Sequence, residues 1–106
     1  MNYRKYLNNA QYHPREYQSA HALFSITLGS NEKRNHLVKR LSSNNIQTVV
    51  YYKFPIHLMK AFKYLGHKIG DFPVSESLSN NILSLPMHPY LNEKEINLII
   101  NSIRKK

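Results

Sequence analysis

The amino-acid sequence predicts an α+β domain in which a small antiparallel or mixed sheet has helices packed on one face. Apolar residues alternate over residues 19–28 and β-branched residues cluster over residues 46–52, two patterns that are typical of strands. Helical apolar spacing separates these segments and follows them. The chain of 106 residues is long enough for one compact domain with a modest core. A layer of strands covered by helices accommodates this order of elements.

The first predicted strand leads into the first long helix. From Ala20 to Leu28 the even-numbered residues are apolar, which predicts a strand with one buried face. Ser30 or Asn31 is suited to cap the helix that follows, and we expect this helix to run to about Ser43. Its predicted apolar stripe is Leu37, Val38 and Leu41, and its predicted solvent side carries Lys33, Arg34, Lys39 and Arg40.

The second predicted strand ends at a junction of aromatic residues, proline and histidine. The Asn-Asn pair at 44–45 is expected to end the long helix, because asparagine tolerates the left-handed backbone of helix C-termini. A strand is predicted over residues 46–52, and Pro55 should stop its pairing because proline donates no ladder hydrogen bond. A short helix is then predicted from about His57, closed by Gly66, and its apolar positions are Leu58, Phe62 and Leu65.

The last third of the chain is predicted to hold two helices around a short strand. Residues 70–73 form a turn whose proline suits the first turn of a helix, and the apolar positions of that helix are Val74, Leu78 and Ile82. Leu83 and Leu85 indicate a short strand. Asn92 followed by Glu95 matches a capping box. The final helix should bury one face, formed by Ile96, Ile99, Ile100 and Ile103.

Composition excludes several classes of protein. The chain has no cysteine, which excludes disulfide frameworks, thiol nucleophiles and cysteine-ligated zinc. No apolar run approaches membrane-spanning length, and the polar start lacks the core of a signal peptide, so we expect a soluble, cytoplasmic protein that makes no contact with a membrane. The net charge of +9 is compatible with binding to phosphates, but a Lys-, Asn- and Ile-rich composition also arises without selection for binding.

The motifs of self-sufficient enzymes do not occur in the sequence. There is no phosphate loop, no nucleotide-binding glycine-rich turn and no paired histidine spacing for a metal. The chain has only six carboxylates, and several of these precede or open predicted helices, where they complement the helix dipole: Glu32, Glu76, Glu93 and Glu95. From the residues alone, we expect neither a metal centre nor a catalytic residue in this chain.

A family resemblance gives these segments a common meaning. The pieces that carry it are the strand pattern I-x-T-x-x-Y-Y, the turn FPIHL leading to AFKYLG, the segment GDFPVSE and the segment ILSLPMHPYLNEKEI. In this order and spacing, they resemble the C-terminal small domain of the DegT/DnrJ/StrS family of pyridoxal phosphate-dependent sugar aminotransferases, which have fold type I. The resemblance implies two regions: residues 1–18 as the end of an interdomain helix and the loop that enters the domain, and residues 19–106 as the small domain itself.

The resemblance also implies what this chain would lack. In the family, the lysine and the phosphate-binding groups that hold pyridoxal 5'-phosphate belong to a large catalytic domain, for which this sequence has no counterpart. We therefore expect the chain to be inactive and free of cofactor when alone, and to require that domain as a partner. The full-length enzymes are expected to be homodimers that transfer an amino group, typically from glutamate, to a keto-sugar nucleotide for envelope polysaccharides.

The resemblance singles out three candidate substrate-binding residues. In the family, the turn that matches YYKFPIH faces the sugar-nucleotide site, so Tyr52 and His57 could bond sugar hydroxyls or a phosphate oxygen. His21 matches a stretch that enters the first strand near the same cleft. For each residue a structural alternative stays open: packing under a helix for Tyr52, capping or a carbonyl contact for His57, and an ordinary interdomain contact for His21. An exposed apolar surface for the large domain is expected near Leu23, Tyr52 and Phe54.

Two hypotheses about function follow from the sequence. In the first, the chain is part of a nucleotide-sugar aminotransferase and supplies wall residues rather than reactive groups. In the second, it is a free-standing basic module that binds nucleic acid through the helix at 33–40 and the tail at Arg104. The second hypothesis is disfavoured, because it leaves the GDFPVSE and ILSLPMHPYL segments without a role.

Overall fold

The computed structural model describes residues 3–10, 14, 16–20 and 22–105. A short helix α1 (Tyr3–Tyr6) precedes strand β1 (Phe24–Thr27) and helix α2 (Asn31–Ser43). Two 3₁₀ segments follow, Ile56–Leu58 and Lys60–Leu65. Helix α3 (Pro73–Asn81) then leads directly into strand β2 (Ile82–Leu85), and helix α4 (Glu93–Arg104) closes the described chain. Within the described residues, no helix combines the length and the apolar character that crossing a membrane requires.

The two strands form an antiparallel pair that has a bridged residue on each outer edge. Phe24 lies opposite Leu85 and Thr27 lies opposite Ile82. Ala10 bridges Ile26 on the outer edge of β1, and Val49 bridges Ser84 on the outer edge of β2. The predicted α+β class with a small antiparallel sheet is confirmed. Its order is residue 10, β1, β2 and residue 49.

The two predicted long strands are both shorter in the structure. The strand predicted over residues 19–28 is reduced to β1, and residues 46–52 contribute only the bridge at Val49 instead of a strand. Val49 exchanges both backbone hydrogen bonds with Ser84, at 3.1 and 2.8 Å, and the chain turns away at Tyr51. Pairing could not extend far along β2 in any case, because β2 has four residues and Pro86 follows it.

The core joins both strands to helices α1, α2 and α4. Its completely buried side chains are Tyr3, Ile26, Leu41 and Leu83. The predicted inner face of α4 is confirmed, since Ile96, Ile99 and Ile100 are buried and Ile103 packs against them. Helix α2 contributes Leu37 and Leu41, as predicted. These helices pack with the sheet in one core. The segment that follows the bridge at Val49 leads from the sheet to the candidate site.

Local capping chemistry agrees with the predicted helix ends. The Ser30 side chain accepts a hydrogen bond from the Lys33 amide at 3.2 Å. Asn92 and Glu95 form the predicted reciprocal box, with both side-chain to backbone distances at 2.9 Å. Asn45 adopts a φ of 58°, the left-handed conformation expected after α2. All four glutamates assigned to helix starts do lie in first turns.

Arg34 departs from the sequence prediction. It was expected on the solvent side of α2, but the residue is only 8% exposed. Its guanidinium Nη1 donates a hydrogen bond to the Ser79 carbonyl oxygen at 2.9 Å, which ties α2 to α3. Periodicity alone predicts that a basic residue next to an apolar stripe faces solvent. A long arginine side chain can nevertheless bury its aliphatic part while its guanidinium N–H groups find hydrogen-bond acceptors.

The segment between residues 53 and 78 contradicts two further predictions. The expected helix from His57 to Leu65 is instead a pair of 3₁₀ segments, and Leu65 is 53% exposed. Helix α3 begins at Pro73 as predicted, but its expected inner positions Val74 and Leu78 are exposed. Periodicity identifies which residues share a face but not whether the same chain covers that face.

Candidate functional site

Residues 51–57, called here the aromatic turn, leave the sheet just after the bridge at Val49. Tyr52 and Phe54 are 64% and 66% exposed, whereas Pro55 is buried. Proline fixes φ near −65°, and Pro55 has a φ of −64° with an extended ψ, so the chain stays extended into the first 3₁₀ segment. The turn therefore presents aromatic side chains outward from a fixed backbone.

His57 is largely buried, although it also lines a surface cavity. The residue is 8% exposed, and its ring packs edge-on against Phe72 with 4.8 Å between ring centroids. Its Nε2 atom is buried and lies 3.5 Å from Oε2 of Glu76, without a hydrogen bond of good geometry. His57 caps no helix, and none of the hydrogen bonds between described residues joins it to a backbone carbonyl. Its contact is with α3.

Glu76 connects the aromatic turn to the start of α3. Its carboxylate accepts hydrogen bonds from the Gly70 amide at 2.8 and 3.0 Å and from the Phe72 amide at 3.3 Å. Gly70 has a φ of 96°, a conformation that favours glycine, and this brings its amide toward the carboxylate. Sequence reasoning treated Glu76 only as a partner of the helix dipole. The available signal was the Gly-Asp-Phe-Pro turn that precedes it by a few residues.

A second histidine lies on the other side of Phe72. The His67 ring meets the Phe72 ring edge-on at 5.0 Å, and His67 Nδ1 lies 3.5 Å from Oδ2 of Asp71. The same Asp71 oxygen accepts a hydrogen bond from the Lys68 amide at 2.8 Å. These contacts hold residues 66–72 together just before the N-terminus of α3. In the part of the chain that the structure describes, no cluster of His, Asp or Glu could hold a metal ion.

Two adjoining surface cavities lie beside the aromatic turn. One has a volume of about 150 Å³, the other about 300 Å³, and Ile56 and Ser75 line both of them. Much of their lining is apolar and exposed. These side chains are called here the apolar face: Tyr51, Tyr52, Phe54, Ile56, Phe62, Leu65, Phe72 and Leu78. Leu23, expected to be exposed as well, is 54% exposed.

The candidate substrate-binding residues have different positions. Tyr52 lines the smaller cavity and does not pack under a helix, whereas His57 lines the larger one. The structure therefore brings both residues to the same surface, on opposite sides of Ile56. His21 lies outside the described residues.

The positions of the described lysines bear on pyridoxal phosphate, the cofactor that the family resemblance implies. A Schiff base requires a lysine at a cavity wall, but every lysine whose burial is described is exposed, and none lines the cavities mentioned above.

Several basic residues of the alternative nucleic-acid surface have partners inside the protein. Arg34 is bonded to Ser79, and the Arg40 guanidinium donates to the backbone carbonyls of Ile103 and Lys105. The Arg104 guanidinium lies 5.4 Å from the centroid of the Tyr6 ring. Guanidinium groups held in this way are less available to phosphates, which weakens the nucleic-acid hypothesis.

Comparison with known proteins agrees with the fold and with the segments named above. Residues 2–104 match the sequence profile of the DegT/DnrJ/EryC1/StrS aminotransferase family. A crystal structure of such an aminotransferase from Brucella abortus superimposes with a TM-score of 0.79 and 41% identity, over 92% of this chain and 26% of that chain. A sugar aminotransferase from Streptococcus pneumoniae, Spr1654, solved in its PLP form, gives a TM-score of 0.79 and 28% identity over 91% and 25% of the two chains.

A curated relative is named for a nucleotide-sugar substrate. The dTDP-3-amino-3,4,6-trideoxy-α-D-glucose transaminase of Micromonospora megalomicea is 32% identical over 84 residues, which are 78% of this chain and 22% of that protein. This chain spans about a fifth to a quarter of the length of the curated relatives that it matches. Its fold is that of the small domain of fold type I aminotransferases, as the sequence predicted. The chain belongs to the DegT/DnrJ/EryC1/StrS aminotransferase family, whose members depend on pyridoxal phosphate.

Proposed function

We propose that this chain serves as the small domain of an aminotransferase that acts on a keto-sugar nucleotide, with an amino acid such as glutamate as the amino donor. The observation that carries the proposal is the apolar face beside the aromatic turn, in a chain that matches only about a quarter of its relatives' length. The named activity of the Micromonospora relative supports the nucleotide-sugar substrate. We assign the product to envelope polysaccharide synthesis in the cytoplasm.

The partner in this proposal is a large catalytic domain, supplied by a longer form of this protein or by a separate chain. A cluster of exposed apolar side chains such as the apolar face is characteristic of an interaction surface. Docking of the catalytic domain would remove these side chains from water. Pyridoxal phosphate, bound by that domain, supplies the electron sink for amino transfer. The assembled enzyme is a homodimer, and this chain alone is inactive.

Within that enzyme, the aromatic turn forms one wall of the substrate site. The Tyr52 hydroxyl, at the exposed end of the turn, bonds a sugar hydroxyl or a phosphate oxygen. His57 contributes from the adjoining cavity, and His21 lies near the same cleft. Pro55 keeps the backbone of the turn fixed, so that binding requires little reordering.

A graft tests this proposal. The equivalent segment of the Micromonospora transaminase is replaced by this chain. Amino transfer from dTDP-3-amino-3,4,6-trideoxy-α-D-glucose to 2-oxoglutarate, the reverse of the proposed direction, is then measured with purified enzyme. We expect the graft to retain pyridoxal phosphate, seen by its absorbance, and measurable turnover. Tyr52→Phe in the graft should lower kcat/KM about fivefold to tenfold, the effect of one lost hydrogen bond.

Tyr90→Phe is the matched control, because Tyr90 is 87% exposed and lines neither cavity beside the aromatic turn. It should leave kcat/KM unchanged. A graft that folds and holds the cofactor but does not turn over the nucleotide sugar would contradict the proposed function. Equal kcat/KM values for Tyr52→Phe and Tyr90→Phe would contradict the assigned role of Tyr52.

A further inference from the structure

His57 and Glu76 form a buried pair in which one imidazole nitrogen is not hydrogen-bonded. Nε2 of His57 has almost no exposed area, has no hydrogen-bond partner and lies 3.5 Å from Oε2 of Glu76. The side chains are 7% and 15% exposed. A ligand therefore reaches this ring only through Nδ1 or through carbon atoms, because Nε2 is closed off by Glu76 and the protein around it.

The carboxylate determines which nitrogen of the neutral ring carries the proton. A lone pair on Nε2 would face the negative Glu76 oxygen in a poorly solvated space, whereas an N–H there would be attracted to it. A neutral imidazole has one N–H and one acceptor nitrogen. With the proton on Nε2, the nitrogen left for a ligand is Nδ1, and it is an acceptor.

Glu76 is itself held in a fixed place. Its oxygens accept hydrogen bonds from the Gly70 and Phe72 amides, and the Phe72 ring packs against His57 from the same segment. Charge-assisted bonds of this kind are stronger than neutral ones, so the carboxylate has little freedom to turn away from His57. Of the other charged or titratable side chains of residues 66–72, His67 and Asp71 are paired with each other and Lys68 is exposed.

We propose that Glu76 is a positioning residue that keeps the His57 proton on Nε2, so that His57 offers an acceptor to the substrate site. The group that His57 recognises is then a donor, such as a sugar hydroxyl, rather than a phosphate oxygen. This assignment rests on the proposed function, in which His57 faces the sugar nucleotide. It concerns only the chain described here and involves no group on the cofactor.

Nitrogen-15 NMR of the 106-residue chain tests the proposal directly. At about pH 8.5, where an ordinary imidazole is neutral, the two ring nitrogens report which one is protonated. We expect His57 to be protonated on Nε2, with an Nε2–H proton that exchanges slowly with water. Protonation on Nδ1 would overturn the proposal. This spectrum needs no variant, so it decides the question even if a variant fails to fold.

A substitution at Glu76 separates positioning from a purely structural role. Glu76→Gln removes the charge but keeps the size and one acceptor oxygen. We expect part of the His57 population to carry its proton on Nδ1 at about pH 8.5, a change that loosening of the segment alone would not produce, and the Gly70 and Phe72 amides to lose protection about tenfold. Glu32→Gln is the control, since Glu32 also lies in the first turn of a helix and is exposed.

Each result of the comparison is decisive. If the Gly70 and Phe72 amides exchange faster but the His57 proton stays on Nε2 unchanged, Glu76 has only a structural role and the proposal is overturned. A change in the His57 proton that occurs in Glu76→Gln but not in Glu32→Gln supports the proposal. The measurement is made without the catalytic domain. An Nδ1 proton would therefore reject this inference and leave the proposed function standing. A failed graft would reject the proposed function and the ligand assigned to His57, but not the position of the His57 proton.

Discussion

At the residue scale, the aromatic turn combines exposed side chains with buried ones. Tyr52 and Phe54 are exposed, whereas Pro55 and His57 are buried within the same short stretch. The exposed side chains are not covered by the described residues, and the buried His57 contacts Glu76 in the first turn of α3. A rigid backbone that carries exposed aromatic groups suits a binding wall.

Arg34 provides a test of a buried interaction that periodicity did not reveal. Arg34→Met should lower the free energy of unfolding by about 1–3 kcal/mol, because the Ser79 carbonyl then loses its charged donor in a buried place. Urea unfolding of the purified chain measures this. Lys39→Met, on the exposed side of the same helix, is the control and should change the free energy by less than about 0.5 kcal/mol. Equal effects would contradict the buried role of Arg34.

The buried position of Tyr3 leads us to expect that the stability of the fold decreases at alkaline pH. Burial, with a smaller contribution from the Glu95 charge, raises the pKa of Tyr3 to about 12. Its neutral form is favoured in the folded state, so its contribution is fully present below pH 10 and is lost as pH rises through 12. Unfolding followed from pH 9 to 12 should show a decline that Tyr3→Phe makes shallower. Tyr90→Phe should leave the decline as it is, and an unchanged slope in Tyr3→Phe would contradict the burial argument.

At the element scale, α4 is the clearest agreement between sequence pattern and structure. Its four isoleucines follow one helical face, and that face packs into the core where α4 contacts α1 and α2. The capping box at its start satisfies backbone donors that the helix itself leaves open. Helix α3 has similarly regular spacing, but its apolar positions are exposed because nothing in the described chain covers them.

The capping box gives a prediction at this scale. Asn92→Ala should lower the free energy of unfolding by about 1 kcal/mol, because the Glu95 amide loses its acceptor. Thermal unfolding detects the change. Asn97→Ala, on the exposed middle of α4, is the control and should be neutral or slightly stabilising. An Asn92→Ala variant with the same free energy of unfolding as the unsubstituted chain would mean that the capping box does not stabilise this helix.

Sequence patterns predicted the structural features that depend on residues close in sequence. They missed the features that depend on residues distant in sequence. Ser30, Asn45 and Asn92 were correctly placed because capping involves residues a few positions away. The strand at 46–52 was wrong because its length depends on how much of β2 is available to pair. The link from Glu76 to His57 was not predicted, since those residues come together only after residues 66–72 fold back.

At the scale of the whole molecule, the structure has a covered side and an uncovered side. The sheet with α1, α2 and α4 forms a closed core, whereas the apolar face between residues 51 and 78 has no cover among the described residues. A chain that spans about a quarter of its relatives leaves most of such an enzyme to supply that cover. In the proposed function, the catalytic domain covers this face.

The uncovered side predicts self-association of the isolated chain. We expect the average mass in light scattering to rise with protein concentration, because apolar side chains leave water on association. Phe54→Asp combined with Leu78→Asp should restore a monomer, since both residues line the smaller cavity. Tyr90→Asp, on an exposed residue that does not line this cavity, should not. A chain that stays monomeric at high concentration would contradict the docking role of this face.

The turnover of the Micromonospora enzyme carrying this chain in place of its own segment tests the central claim most directly. If this chain is the small domain of a nucleotide-sugar aminotransferase, the graft retains the cofactor and measurable turnover, whereas the same enzyme without the segment has none. A graft that is folded and carries the cofactor, but is as inactive as the truncated enzyme, would contradict that claim.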